Sequence, residues 1–227
     1  MGIINFSKKK PLILLLLLVI AFSGFFALNR KKNRTLLITG CARSGTTYIA
    51  KLLQQGGMDI GHEYVGKDGS SSWDLAANPK EGRWKVRPAN YRFAHVFHQT
   101  RHPLKVISSV YVTEDKDSWD YIKAHTPEIL EEDSHITKCA KYWYYWNLKA
   151  EKMAEWTYRL EEVDGLLEEF EQRLGKKIDQ SAVGRVVKNL NTSSSPIREF
   201  TWVDLEQQLD PALYQKIRTL AQKYGYS

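Results

Sequence analysis

Residues 35–47 read TLLITGCARSGTT, and this stretch indicates the class of fold. The apolar run Thr35–Gly40 has the length and the terminal glycine of a strand that is buried on both faces. A short turn follows it, and apolar residues then recur at helical spacing over Thr47–Gln55. A buried strand that leads through a glycine turn into a helix is typical of α/β proteins with a parallel sheet.

The turn between this strand and this helix has the spacing of a phosphate-binding loop. Gly40 and Gly45 are separated by four residues, and the backbone N–H groups at a helix start bind anions with the help of the helix dipole. The loops that bind ATP or GTP need a lysine directly after the second glycine. That position is Thr46 here, and the cation of the loop is Arg43. The loop therefore predicts a site for a phosphate-like group without the lysine that ATP chemistry uses.

The rest of the chain continues the alternation of strands and helices. The patterns predict further strands over 58–61, 93–100 and 157–160, and helices over 103–112, 134–155, 165–174 and 211–224. A stretch rich in Gly, Ser, Asn and Pro, Gly66–Pro88, is predicted as a long loop. The fold expected is a P-loop-type three-layer α/β sandwich, with a central parallel sheet of about four or five strands.

A second element follows the predicted strand 93–100. Arg101 ends this strand, Pro103 opens the next helix, and Ser109 lies two helical turns along it. An arginine presents a rigid fork of donors that suits a phosphate group. The sequence therefore places a second group of anion-binding side chains after a second strand.

These two elements, in this order, resemble the sulfotransferases that use 3′-phosphoadenylyl sulfate (PAPS). The segment Arg43-Ser44-Gly45-Thr46-Thr47 is similar to their 5′-phosphosulfate loop, and Arg101 with Ser109 is similar to the pair that holds the 3′-phosphate. Tyr158–Val163 resembles the strand ending "RYEDL" of the family, and the similarity spans about residues 35–210. The resemblance implies PAPS as sulfuryl donor, no metal, and a hydroxyl-bearing acceptor that is a carbohydrate, a peptide tyrosine or a lipid.

The chain departs from the family pattern at several positions. Ala42 stands where the family often has proline, and Tyr48 stands where the cytosolic branch has a tryptophan that stacks on adenine. Tyr48 is either that stacking residue or part of the core. The late element "RKGxxGDW" is absent, and 191–198 is the candidate replacement. The form of the first loop is more similar to the membrane-bound branch.

The catalytic base is expected in the segment Gly61-His62-Glu63-Tyr64. Sulfuryl transfer needs a base for the acceptor hydroxyl and a cation for the developing charge. The tyrosylprotein sulfotransferases place a glutamate in a similar Gly-x-Glu context, which implies Glu63 as base, His62 as the alternative and Arg43 as the stabilising cation. The competing interpretation is that Glu63 only pairs with Lys67 or Arg43.

The amino-terminal segment predicts a membrane anchor. Residues 11–28 carry no charge, and a helix of this length spans about 27 Å, close to the hydrocarbon thickness of a bilayer. The predicted organisation is a basic flank 1–10, an anchor 11–28, a basic stalk 29–34 and a catalytic domain 35–227. A cleaved signal peptide is the alternative. The resemblance implies a Golgi membrane with a lumenal domain in a eukaryote, and an inner membrane with a cytosolic domain in a bacterium.

Charge and composition limit the other functions. The net charge of +7 comes from seven basic residues and no acidic residue within 1–34, so residues 35–227 are neutral overall. This balance disfavours a nucleic-acid partner, and two cysteines are too few for a disulfide-rich module. The alternative functions are a P-loop kinase or NTPase, and a catalytically inactive membrane-tethered nucleotide-binding protein. The sequence does not determine the oligomeric state.

Overall fold

The structure is a computed structural model, and it describes residues 31–77, 90–187 and 199–227. The predicted anchor 11–28 and the candidate segment 191–198 lie outside the described residues. Among the helices of the described part, none is both long enough and apolar enough to span a bilayer.

The centre of the domain is a parallel sheet of five strands. The strands lie in the order β2-β3-β1-β4-β5, and every pair of neighbours is parallel. Their bounds are β1 Lys32–Gly40, β2 Ile60–His62, β3 Gly69–Ser71, β4 Tyr91–Thr100 and β5 Trp156–Arg159. Because the strands are parallel, their carboxyl ends meet at one edge of the sheet, where ligands bind in open α/β folds.

Seven α-helices connect and cover the strands in the described part of the chain. Side chains cap several helix starts: Asp115, Ser134, Thr201 and Asp210 each accept a bond from a first-turn N–H. Short 3₁₀ helices lie at Asp74–Ala76, Leu160–Gly165 and Gln180–Arg185. The helices are α1 Thr46–Gln55, α2 Pro103–Thr113, α3 Lys116–His125, α4 His135–Met153, α5 Leu167–Leu174, α6 Trp202–Gln208 and α7 Pro211–Lys223.

The two faces of the sheet pack against different helices. Leu36 and Ile38 of β1 lie in a core shared with α1 and α5. Leu37, between them, faces the opposite side, where α4 packs on β1 and β4. Alternate side chains of a strand point to opposite faces, so helices on both sides are needed to bury Leu36, Leu37 and Ile38. This arrangement is the three-layer α/β architecture expected from the sequence.

The structure corrects the prediction of a long loop over Gly66–Pro88. β3 lies inside that stretch, inserted between β2 and β1. Ser70 and Ser71 are fully buried, and their hydroxyls donate to the carbonyl oxygens of Tyr64 and Thr46. Position 69 is a glycine because a Cβ there would collide with the Leu36 backbone. A strand without apolar side chains gives no hydrophobic pattern, so the loop prediction was wrong at these positions.

Other boundaries differ by a few residues. β1 begins at Lys32, so part of the predicted stalk 29–34 belongs to the sheet and pairs with the start of β4. β2 ends at His62 rather than at Gly61. The predicted helix 165–174 corresponds to α5, which begins at Leu167 after the 3₁₀ helix Leu160–Gly165. Helices α3 and α6 were not predicted. These differences leave the predicted sheet and its loop in place.

Candidate active site

The loop between β1 and α1 is held by its own hydrogen bonds. The Ser44 hydroxyl donates to the Cys41 carbonyl oxygen at 2.6 Å, and the Gln99 amide donates to the Ser44 carbonyl oxygen at 2.7 Å. Gly45 has φ of 88°, and a Cβ there would lie 2.6 Å from a methyl carbon of Leu160. Glycine is therefore required at this position both for the left-handed turn and for the close packing. The backbone reaches the start of α1 in a fixed shape.

Helix α4 packs on the face of the sheet opposite to α1 and supports the loop from that side. The Ala42 N–H donates to the Tyr142 hydroxyl oxygen at 2.7 Å, in a fully buried contact. The Cys41 thiol lies 3.7 Å from the Trp143 carbonyl oxygen and donates to it. Tyr142, Trp143 and Trp146 are all buried, so aromatic residues of this helix form part of the core.

Two arginines converge beside the loop. The Arg43 Nε donates to the Ser109 hydroxyl oxygen at 2.9 Å, and the Arg101 Nη1 donates to the Arg43 carbonyl oxygen at 2.8 Å. Burial lowers the pKa of Arg101, an effect that Glu161 opposes and Arg43 reinforces. Two arginines that meet at one loop favour an anion beside them. The structure thus brings Arg43, Arg101 and Ser109 together, and their binding of a nucleotide stays a prediction.

His62 and Glu63 lie on the other side of the loop, at the end of β2. The His62 Nε2 is 3.2 Å from the hydroxyl oxygens of both Thr46 and Thr47 and 4.0 Å from Glu63 Oε1. Burial, and to a smaller extent the charge of Lys51, lower the pKa of His62 to about 4. His62 is consequently neutral near pH 7.

A cavity of about 230 Å³ joins these groups. Arg43, Thr46 and Thr47 line its loop side, and His62 and Glu63 line the side of β2. Such a cavity has the cation and the anion-binding backbone of a phosphate site on one side and a carboxylate on the other. That arrangement is suited to the transfer of an anionic group to a hydroxyl whose proton a carboxylate accepts.

A second and larger cavity, of about 580 Å³, lies beside the first. Arg101 lines both cavities. The second cavity also includes the apolar side chains of Leu104, Leu160 and Phe200. Phe200 is placed by its N–H, which donates to the Ser108 hydroxyl oxygen at 2.9 Å. A ligand with two anionic groups and an apolar part fits a site of this composition.

Two predicted nucleotide contacts have partners within the protein. Tyr48 is almost fully buried, and its hydroxyl donates to Asp164 Oδ1 at 2.5 Å. Burial raises the pKa of Tyr48, and the Asp164 carboxylate raises it further. Ser44 is also buried, with its hydroxyl bonded inside the loop. Both residues support the loop or its neighbours in this structure, and their contact with a nucleotide stays a prediction.

One wall of the first cavity was not predicted from the sequence. Trp73 follows β3, and a second group lies where α2 passes into α3: Thr113, Glu114, Asp115 and Ser118. The available signal was Asp115, whose carboxylate accepts the N–H of Ser118 at 2.7 Å as the cap of α3. An Asp followed three residues later by Ser in a helical pattern predicts a cap, but it does not show that the cap faces a cavity.

The comparisons with known proteins add one similarity. No protein-family model and no curated protein matches the chain. Among solved structures, the sulfotransferase domain from the curacin biosynthetic pathway is similar to it, with 11% identity and a TM-score of 0.49. The match covers 87% of this chain and 99% of that chain. At this identity and this TM-score, the similarity does not indicate the function of the chain.

Proposed function

We propose that this chain is a sulfotransferase that moves a sulfuryl group from PAPS to a hydroxyl of an acceptor. The observation that carries the proposal is the convergence of Arg43, Arg101 and Ser109 beside a phosphate loop that lacks the lysine of ATP-binding loops. A donor with one anionic group at the 5′ end and another at the 3′ position would use both arginines. ATP has no 3′-phosphate for Arg101 to bind.

Each group of site residues has its own role in this reaction. The N–H groups at the start of α1, with Thr46 and Thr47, hold the 5′-phosphosulfate. Glu63 accepts the proton of the acceptor hydroxyl while the oxygen of that hydroxyl attacks the sulfur atom of PAPS. The new S–O bond forms as the bond from sulfur to the phosphate oxygen breaks, and 3′-phosphoadenosine 5′-phosphate leaves. Arg43 stabilises the negative charge that develops on the leaving phosphate.

The donor specificity is tested by calorimetric titration of the full chain in detergent. The ligands are 3′-phosphoadenosine 5′-phosphate, ADP and ATP, each with and without Mg²⁺. We expect tight binding of the 3′-phosphorylated nucleotide alone, with no change when Mg²⁺ is removed. A preference for ATP with Mg²⁺ would instead support the kinase alternative.

The role of Arg101 is tested with a matched control. Arg101→Ala should weaken the binding of 3′-phosphoadenosine 5′-phosphate by about 100-fold, since it removes a charge-assisted contact of about 3 kcal/mol. Arg173→Ala removes an exposed arginine that contacts Glu169 and the Trp156 ring and lines neither cavity, and binding should stay at the wild-type value. Equal affinities for wild type and Arg101→Ala would exclude the proposed 3′-phosphate site.

The role of Glu63 is tested by transfer of radiolabelled sulfate from PAPS to a panel of carbohydrate, tyrosine-peptide and lipid acceptors. Glu63→Gln should keep nucleotide binding and lower the transfer rate about 10²- to 10⁴-fold, the usual contribution of a general base. Glu169→Gln, on an exposed helix face, is the control. Nucleotide binding without transfer to any acceptor would favour the inactive binding protein.

A further inference from the structure

His62 contacts the phosphate loop through a single nitrogen atom. Its Nε2 lies 3.2 Å from the Thr46 hydroxyl oxygen and 3.2 Å from the Thr47 hydroxyl oxygen. A carboxylate oxygen of Glu63 lies 4.0 Å from the same atom. His62 therefore joins two hydroxyls at the start of α1 to the end of β2, where the proposed base is located.

The surroundings of Nε2 indicate which tautomer the ring has. A neutral imidazole has one N–H donor and one acceptor nitrogen. Three oxygen atoms surround Nε2, and the carboxylate oxygen of Glu63 can only accept. A hydrogen on Nε2 is attracted by all three oxygens, whereas a lone pair there would face the negative carboxylate. The neutral Nε2–H tautomer is thus the favoured state, and burial maintains neutrality by lowering the pKa to about 4.

This tautomer determines where the threonine hydroxyls can donate. When Nε2–H donates to a hydroxyl oxygen, the proton of that hydroxyl is free to turn to another acceptor. Thr46 and Thr47 both line the first cavity, so an anion in the loop is the acceptor within reach. The opposite tautomer would draw both hydroxyl protons toward the ring, and it would present their lone pairs to the anion.

We propose that His62 is a positioning residue that donates through Nε2–H to the hydroxyls of Thr46 and Thr47 and so directs both hydroxyl protons onto an anion held in the loop. That the anion is the phosphosulfate of PAPS rests on the proposed function. In this role His62 takes no proton from the acceptor, and Glu63 remains the base.

The test is a double-mutant cycle read by calorimetry on the full chain. The probes are 3′-phosphoadenosine 5′-phosphate and inorganic pyrophosphate. His62→Ala should weaken the binding of both by about 10-fold, because the anion would lose about one net hydrogen bond from the threonine hydroxyls. His62→Gln, whose amide nitrogen can replace Nε2–H, should restore most of the affinity. In the Thr46→Val/Thr47→Val background, His62→Ala should have no further effect.

The control is His95→Ala. His95 is also a partly exposed histidine beside a carboxylate, 2.7 Å from Glu155, but it does not line either cavity. Its removal should leave both affinities unchanged. Thermal unfolding of each variant shows whether the fold is intact, and His62→Gln covers the case in which His62→Ala fails to fold.

The outcomes separate the inference from the proposed function. Unchanged binding in His62→Ala, or an equal loss with and without the threonine hydroxyls, would overturn the positioning role. Binding of pyrophosphate with the expected coupling, but no binding of the nucleotide, would support His62 and overturn the PAPS proposal. Absence of binding for both probes in the wild type would overturn both proposals.

Steady-state kinetics provide a readout that a purely structural role would not change. His62→Ala should raise the KM for PAPS about 10-fold and keep the dependence of the rate on pH, because Glu63 is still present. A lost acid limb of the pH profile in His62→Ala would mean that His62 itself is the base.

Discussion

Backbone strain marks two single residues of this site. Within residues 31–77, 90–187 and 199–227, the non-glycine residues with positive φ are Arg43, at 67°, and Glu63, at 59°. A left-handed conformation costs about 1–2 kcal/mol for a residue with a Cβ. Both residues were predicted as catalytic, Glu63 because of the resemblance to the tyrosylprotein sulfotransferases and Arg43 as the cation of the phosphate loop. Strain that coincides with chemistry supports the assignment of both positions to the site.

The strain at Arg43 leads to a measurable reversal of the usual order of glycine and alanine. At an ordinary position glycine is less stable than alanine, but at a φ of 67° it should be more stable by about 1 kcal/mol. We therefore expect Arg43→Gly to unfold at higher denaturant concentration than Arg43→Ala, although both lose nucleotide binding. Equal stability of the two variants would mean that the backbone relaxes when the side chain is removed.

A second residue, His98, links stability to pH. It is fully buried, and its Nε2 is 3.0 Å from Asn147 Oδ1. Burial lowers its pKa to about 4, against the weaker opposing effect of the Asn147 bond. Because the unfolded state binds the proton more readily, the contribution of His98 to stability is complete above pH 6.5 and is lost as the pH falls toward 4.

The measurement is denaturant unfolding at pH 7 and at pH 5.5, where the carboxylates still ionise. His98 should account for a loss of about 1 kcal/mol over this interval. His98→Asn has no titrating ring. Between pH 7 and pH 5.5 its free energy of unfolding should therefore fall by about 1 kcal/mol less than that of the wild type. An identical fall in both proteins would contradict a neutral, buried His98.

Helix α4 holds the phosphate loop in place through hydrogen bonds. Its residues Tyr142 and Trp143 bond the loop residues Ala42 and Cys41, and the Asn147 amide donates to the Trp143 carbonyl oxygen at 2.7 Å. A buried N–H that loses its partner costs about 1–3 kcal/mol. The shape of the loop therefore depends on a helix that contributes nothing to the cavity lining in the described residues.

Tyr142→Phe tests this dependence. The substitution keeps the buried ring and leaves the Ala42 N–H without its acceptor, so the free energy of unfolding should fall by about 1–3 kcal/mol. Nucleotide affinity should fall as well, because the loop is no longer held in the binding shape. Tyr145→Phe, half-buried on the same helix, is the control and should change neither value. Full stability in Tyr142→Phe would show that water replaces the lost acceptor.

The predictability of each element followed its hydrophobic pattern. β1, α1, β4 and α4 carry long apolar runs or apolar periods, and their positions were confirmed within three residues at each end. β3 consists of Gly-Ser-Ser and was missed, because its burial depends on the neighbouring backbones rather than on its own side chains. The loop motif was predicted because its function depends on local spacing, whereas Glu114 reaches the cavity only through tertiary packing.

At the scale of the whole molecule, the anion site lies in a chain whose residues 35–227 are neutral overall. Attraction for the proposed nucleotide would therefore be local, and it would depend on Arg43 and Arg101 rather than on a general basic surface. The first cavity lies where β1, β2 and β4 end, and the second lies where β4 and β5 end. This position at the carboxyl edge of the sheet was foreseeable, because parallel strands present their following loops together.

Binding at this edge should stabilise the whole domain. A ligand at 100 times its Kd adds about 2.7 kcal/mol to the free energy of unfolding, and for a chain of this size that corresponds to a rise in Tm of about 5–10 °C. We expect this rise with 3′-phosphoadenosine 5′-phosphate and an excess of EDTA, measured by differential scanning calorimetry. A rise that requires Mg²⁺ would contradict metal-independent binding.

The short edge of the sheet has a consequence for motion. β2 is three residues long, and among the described strands it pairs only with β3, itself three residues long. Amide protons in such a segment exchange with solvent through local opening, at a lower free energy than those of the long central strands. His62 and Glu63 lie at the end of this segment, so the proposed base would leave and re-enter alignment without unfolding of the domain. Nucleotide in the loop would slow that exchange first at β2, by holding Thr46 and Thr47 against it.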